Sequence, residues 1–103
     1  GGYEEKVFKV VKADLLAKKS IDQIESSEIV LDPLSAVPPL PFGHLNKCWV
    51  DLIAQMQPVD ELWSFKTTWD GNWGQKEIRS GYAIVREGMP EAYILTARIP
   101  VEK

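Results

Sequence analysis

The sequence predicts an α+β fold in which an antiparallel sheet of three to four strands packs against one main amphipathic helix, with a short N-terminal helix beside it. Three observations predict it. Apolar residues recur at three- and four-residue steps between Leu45 and Met56. Alternation with a period of two takes over from Glu61 onward. Pro58, Gly71, Gly74 and Gly88 stand where one stretch gives way to the next. At 103 residues and 45% hydrophobic content the chain has material for one modest core, so residues 1–103 are expected to form a single domain.

The helix is the best-defined element. Leu45, Cys48, Trp49, Leu52, Ile53 and Met56 fall within one face at about 100° per residue, which predicts a helix over residues 43–57 ended by Pro58. Asn46, Lys47, Asp51 and Gln55 share the remaining circumference with Val50 and Ala54. Upstream, Ser20-Ile21-Asp22-Gln23 has the form of a capping box, in which the hydroxyl and the amide satisfy each other's free backbone donors, and a short helix through Glu25 follows. Residues 6–12 mix β-branched side chains with lysines, a pattern that suits an edge strand guarded by charge. A helix over residues 3–16, with Tyr3, Val7, Val10, Val11 and Asp14 or Leu15 on one face, is the competing assignment.

Residues 32–43 contain four of the seven prolines, so neither a helix nor a central strand runs through them. Leu34, Val37, Leu40 and Phe42 are interleaved with those prolines, which predicts a stiff connector lying across the core rather than a free linker. Pro38 and Pro41 make a P-x-x-P spacing, but no arginine flanks it to support a ligand motif.

In the C-terminal part, Trp63, Phe65 and Thr67 alternate with Leu62, Ser64 and Lys66, and Tyr82, Ile84 and Arg86 with Ala83, Val85 and Glu87. Gly88-Met89-Pro90 reads as a turn, and the last run places Tyr93, Leu95, Ala97 and Ile99 on one face. These three strands form an antiparallel meander with a loop near residues 69–76. Both faces of the meander carry large apolar groups, so something must cover the second one. The N-terminal segment with the proline connector could do so, and so could a second copy of the chain, which makes a homodimer an expected partner arrangement.

Charge and composition exclude several functions. With 15 acidic and 12 basic side chains the formal net charge is -3, and acids interleave with the N-terminal lysines, so no nucleic-acid surface is expected. The single cysteine permits neither an internal disulfide nor a four-cysteine zinc site, and no cofactor is implied. No apolar run approaches the roughly 18 residues that span a bilayer, and no leader pattern is visible. A cytoplasmic protein that does not enter a membrane is the expectation. In overall look the chain is similar to short bacterial proteins, some carried as accessory genes on mobile elements; the likeness covers no diagnostic residue and implies no activity.

Two groups of residues invite a chemical role. His44 and Cys48 are four apart and adjacent on a helix surface, with Asp51 on the same flank. Two ligands do not make a metal site, and no metal is assigned. As nucleophile and base they would make a small thiol enzyme, but no third orienting group is identifiable. The motifs of nucleotide-binding loops and common hydrolases are absent.

The second group is Trp69-Asp70-Gly71-Asn72-Trp73-Gly74, two indoles beside hydrogen-bonding side chains in a glycine-containing loop. Such loops grip flat or amphipathic ligands, although indoles also close the ends of sheets as part of a core. Arg79, Arg86 and Arg98 would form an anion-binding row if they neighbour one another across the strands, or be ordinary salt-bridged arginines. The leading expectation is a non-catalytic binding or regulatory module that recognises a protein or a small apolar ligand through Trp69, Asp70, Asn72, Trp73 and Arg79. The alternatives are the thiol enzyme and a structural homodimer.

Overall fold

The computed structural model describes residues 8–30, 40–70 and 76–101. Its strands and helices follow the order β1 (Leu15–Lys19), α1 (Ile21–Ser27), β2 (Ile29–Val30), β3 (Leu40–Pro41), α2 (Asn46–Ala54), β4 (Glu61–Asp70), β5 (Lys76–Arg86) and β6 (Met89–Pro100). The main sheet has four strands in the order β1-β4-β5-β6, each pair antiparallel, and β2 pairs with β3 as a separate two-stranded ribbon. Among the described residues no helix is long and apolar enough to cross a membrane.

The edge strand begins later than the lysine pattern predicts. Residues 8–11 have no regular structure, and a 3-10 turn at Lys12–Asp14 leads into β1. Asp14 causes the offset, because its carboxylate accepts from the Val11 amide at 3.1 Å while its own amide donates to the Val11 carbonyl at 2.9 Å. A side chain that satisfies backbone donors locally competes with strand pairing. Tyr3, Lys6 and Val7 lie outside the described residues, as does most of the proline-rich connector.

At α1 the Ser20 hydroxyl accepts from the Gln23 amide at 3.1 Å and the Gln23 side chain accepts from the Ser20 amide at 2.9 Å. Helix α2 is shorter than the apolar spacing predicts. Its first turn is a 3-10 segment, Gly43–Leu45, and beyond Ala54 the amides of Gln55 and Met56 bond three residues back, which tightens the end well before Pro58. Phe42 and Gly43 both have positive φ, 64° and 54°, and this reversal aims the Phe42 ring inward as the chain turns into α2. A non-glycine residue held there costs on the order of 1–3 kcal/mol.

The sheet has a core on each face. On one, Leu62, Ile84 and Ile94 join Ile24 of α1, Phe42, and Trp49 and Leu52 of α2 in a single buried cluster. On the other, Phe65 and Ala83 pack with Val10, and Phe8, Leu15, Tyr93 and Leu95 close around them. Each fully buried Phe or Ile of this set contributes about 1.5–3 kcal/mol through apolar area removed from water. The expectation that the second face needs a cover is met over Phe65 and Ala83 by the chain's own N-terminal segment. The described end of the proline connector goes to the opposite face, where Phe42 is buried.

Two turn and register details depart from simple alternation. The β5–β6 reversal uses Glu87 and Gly88, both at positive φ (52° and 80°), the geometry of a two-residue type I′ hairpin; Met89 and Pro90 already belong to β6. The register also shifts in β6 between Leu95 and Ala97. Tyr93 and Leu95 oppose Ala83 and Gly81, but beyond the shift Arg98 opposes Arg79 and Ile99 opposes Ile78. Ile99 is therefore on the face opposite to Tyr93 and Leu95, because one extra residue inverts the alternation.

Gly81 sits beside that shift, and a Cβ there would overlap the Ile94 carbonyl and lie 3.1 Å from Leu95 Cα. Gly81→Ala is expected to destabilise by about 3 kcal/mol or more, measured as a lowered midpoint in denaturant; an unchanged midpoint would contradict the β5–β6 register.

Asp60, in the turn before β4, accepts two bonds from the Arg86 guanidinium, 2.9 Å from Nε and 2.8 Å from Nη2, and one from the Gln57 amide at 2.9 Å. The hydrogen bond from Arg86, then that from Gln57, lowers its pKa from the ordinary 3.8 to about 2. Stability from this carboxylate is complete above 3.8 and lost as pH falls through about 2. Asp60→Asn is expected to melt below the parent at pH 7, with the gap closing as acid is added toward that value. A gap that does not depend on pH would show that the ion pair contributes nothing.

Candidate functional site

The end of the sheet away from the β5–β6 turn carries a group of aromatic and charged side chains in mutual contact. Register places Trp69 of β4 opposite Glu77 of β5, Thr67 opposite Arg79, and Arg79 opposite Arg98 of β6. Because side chains alternate along a strand, these residues share the face that carries Phe65. Phe8 arrives from the N-terminal segment and meets the Trp69 ring edge to face at 5.3 Å and the Tyr93 ring at 5.3 Å. Arg79 lies against both rings, its guanidinium carbon 4.7 Å from the Phe8 centroid and 5.1 Å from that of Trp69. Such cation–aromatic contacts favour a guanidinium held in one orientation.

Glu77 holds the two arginines together. Its Oε1 accepts from Arg79 Nε and from Arg98 Nε at 3.2 Å, and the Arg98 Nη2 nitrogen lies 3.2 Å from it as an ion pair. The hydrogen bond from Arg79 is the main cause that lowers the Glu77 pKa, burial opposes it, and Arg98 adds to the lowering, so the carboxylate stays ionised. The Arg79 side chain is 13% exposed and that of Arg98 is 59% exposed. One end of the pair is thus packed and the other open to solvent.

Trp69 belongs to the end of β4 and is half-buried against Phe8 and Arg79, so its ring neither hangs in solvent nor disappears into the core. Asp70 is exposed and pairs with Lys76 at 3.9 Å. Asn72 and Trp73 lie outside the described residues. Of the arginine row, Arg79 and Arg98 are neighbours, but Arg86 is at the opposite end of β5 with Asp60.

His44, Cys48 and Asp51 are each exposed, His44 in the 3-10 segment and the other two on α2. Cys48 therefore stands outside the buried stripe that its spacing suggests, while Trp49 and Leu52 are buried. No hydrogen bond or ion pair joins His44, Cys48 and Asp51 to one another, and among the described residues no three His, Cys, Asp or Glu side chains converge as metal ligands. A groove of about 400 Å³ lies elsewhere, between Lys9, Val11 and Lys12 on one side and Met89, Pro90 and Glu91 on the other.

Glu77 and Phe8 are the members of the site that sequence reasoning misses. A signal for Glu77 exists, since it precedes Arg79 by two residues and a strand puts such a pair on one face. None exists for Phe8, whose contact spans most of the chain.

Because Cys48 and His44 are exposed, Cys48→Ser and His44→Ala are expected to change stability by no more than about 0.5 kcal/mol, and Cys48 to react with a thiol reagent in the native state as readily as in denaturant; protection of the native thiol would contradict this placement. A scan against protein-family models, a search of the curated proteins and a search of the solved structures each found no match to this chain.

Proposed function

We propose that this chain is a non-catalytic binding module that recognises a protein or a small apolar ligand through the end of the sheet around Trp69, Asp70, Asn72, Trp73 and Arg79. The observation that carries this reading is the pinned indole of Trp69. An aromatic ring packed against Phe8 and the Arg79 guanidinium, which also meet each other, offers contact area whose ordering has already been met within the fold. Preorganised aromatic and arginine side chains of this kind supply most of the affinity at many recognition surfaces. Helix α2 supports the surface from a distance by filling the opposite face of the same sheet with Trp49 and Leu52. In sequence, residues 71–75 stand between β4 and β5 and include a further tryptophan, Trp73.

Trp69→Ala together with Trp73→Ala tests the reading. Circular dichroism reports whether the double variant keeps its sheet, and pull-down from extract compares what it retains with what the parent retains. The expected outcome is a folded double variant that loses the species captured by the parent, with Trp73→Ala alone losing part of it. Capture that persists in the folded double variant rules this surface out.

A further inference from the structure

We propose that Arg79 and Arg98 form an oxyanion receptor and that the partner of this surface presents a carboxylate to it. This rests on the binding role assigned above to the region around Trp69 and gives that role a ligand chemistry. The carrying observation is that Arg79 and Arg98 are directly opposed in the β5–β6 register and that their guanidinium groups converge on one carboxylate oxygen. Like charges directly opposite on a sheet repel. Here a single carboxylate, Glu77, compensates both, and both arginines reach the same oxygen of it. Two positive charges and one negative leave one positive charge uncompensated among the described residues, on a chain whose formal net charge is -3.

The donors are placed for a ligand. Arg79 uses Nε on Glu77, and none of its Nη groups bonds a described residue. Arg98 directs Nε and Nη2 at the one oxygen and keeps the rest of its fork toward solvent, 59% exposed. Phe8 and Trp69 pack against the Arg79 guanidinium, whose side chain is 13% exposed, so its fork is largely ordered before an anion arrives. A planar carboxylate matches two such forks side by side, and the neighbouring indole suits the apolar carbon that carries it. A protein partner with an acidic side chain next to an apolar one satisfies both features. A nucleic acid is disfavoured because the rest of the surface lacks the positive field that would hold a polyanion.

The test follows the ¹H–¹⁵N signals of the Arg79 and Arg98 Nε–H groups in the full chain as sodium glutarate is added at constant ionic strength, with sodium chloride and inorganic phosphate as comparison titrations. Glutarate is expected to shift both signals saturably at millimolar concentration, chloride to give no saturable shift, and Arg98→Gln to weaken glutarate at least tenfold while circular dichroism stays unchanged. A glutarate response that is linear and equal to that of chloride, or one unchanged in Arg98→Gln, overturns the proposal. Phosphate binding at least tenfold tighter than glutarate overturns the carboxylate in favour of a phosphorylated ligand. In pull-down, capture kept by Arg98→Gln but lost by the tryptophan double variant removes the anion receptor and leaves the binding surface standing. Capture kept by both removes the surface as well.

Discussion

Apolar side chains on both faces of one antiparallel sheet set the central constraint on this protein. Leu62, Ile84 and Ile94 look one way and Phe65 and Ala83 the other, so neither face can be left to water without forfeiting burial. The chain meets the requirement with segments far apart in sequence. Residues between β1 and β4 supply Ile24, Phe42, Trp49 and Leu52 to one face, and the N-terminal segment lays Phe8 and Val10 across the other. The strap that closes the second core is thereby the same piece of chain that orients Trp69 and Arg79, which ties the candidate site to the stability of the fold.

Burial of polar aromatics on the helical face brings a second requirement, because an indole N–H or a phenol removed from water needs an acceptor. Helix α1 and the residue that caps its C-terminus provide the acceptors, Glu25 and Glu28. Trp49 Nε1 donates to Glu25 at 2.9 Å and the Tyr82 hydroxyl donates to Glu28 at 2.7 Å. The rings of Phe42, Trp49 and Tyr82 meet one another at centroid distances of 4.9 to 6.5 Å, so the two acids seal the outer side of an aromatic cluster. Burial, followed by the bond to Glu28, raises the Tyr82 pKa, which keeps the phenol protonated as the donor this arrangement needs.

The register shift in β6 links fold and site. Under unbroken alternation Arg98 would share a face with Ile94, on the helical side of the sheet. The extra residue between Leu95 and Ala97 turns it to the side of Arg79 and Glu77. Gly81 makes room for the close backbone approach beside this irregularity, and Thr96 donates to the Ser80 carbonyl at 3.3 Å within it. Irregularities of this kind re-aim side chains at the edges of sheets. Here the effect is to set two arginines against one glutamate.

Local periodicity was enough to read the α+β class, the antiparallel meander, the buried Trp49 and Leu52, and the capping box at Ser20 and Gln23, since each depends on residues within a few positions of one another. Of the site, Trp69 and Arg79 were legible as an aromatic and a charge near the same strand ends, and Glu77 could have been read from its spacing. Tertiary structure alone decided that the edge strand is Leu15–Lys19, that Cys48 faces solvent, that Phe8 and Val10 of the N-terminal segment pack over Phe65, and that Arg98 joins Arg79 while Arg86 goes to Asp60. The physical reason is the same throughout. A pattern of period two or 3.6 specifies which side chains share a face of their own element, but a one-residue register shift or a strap crossing from a distant part of the chain changes which faces meet, and neither leaves a trace in the local pattern.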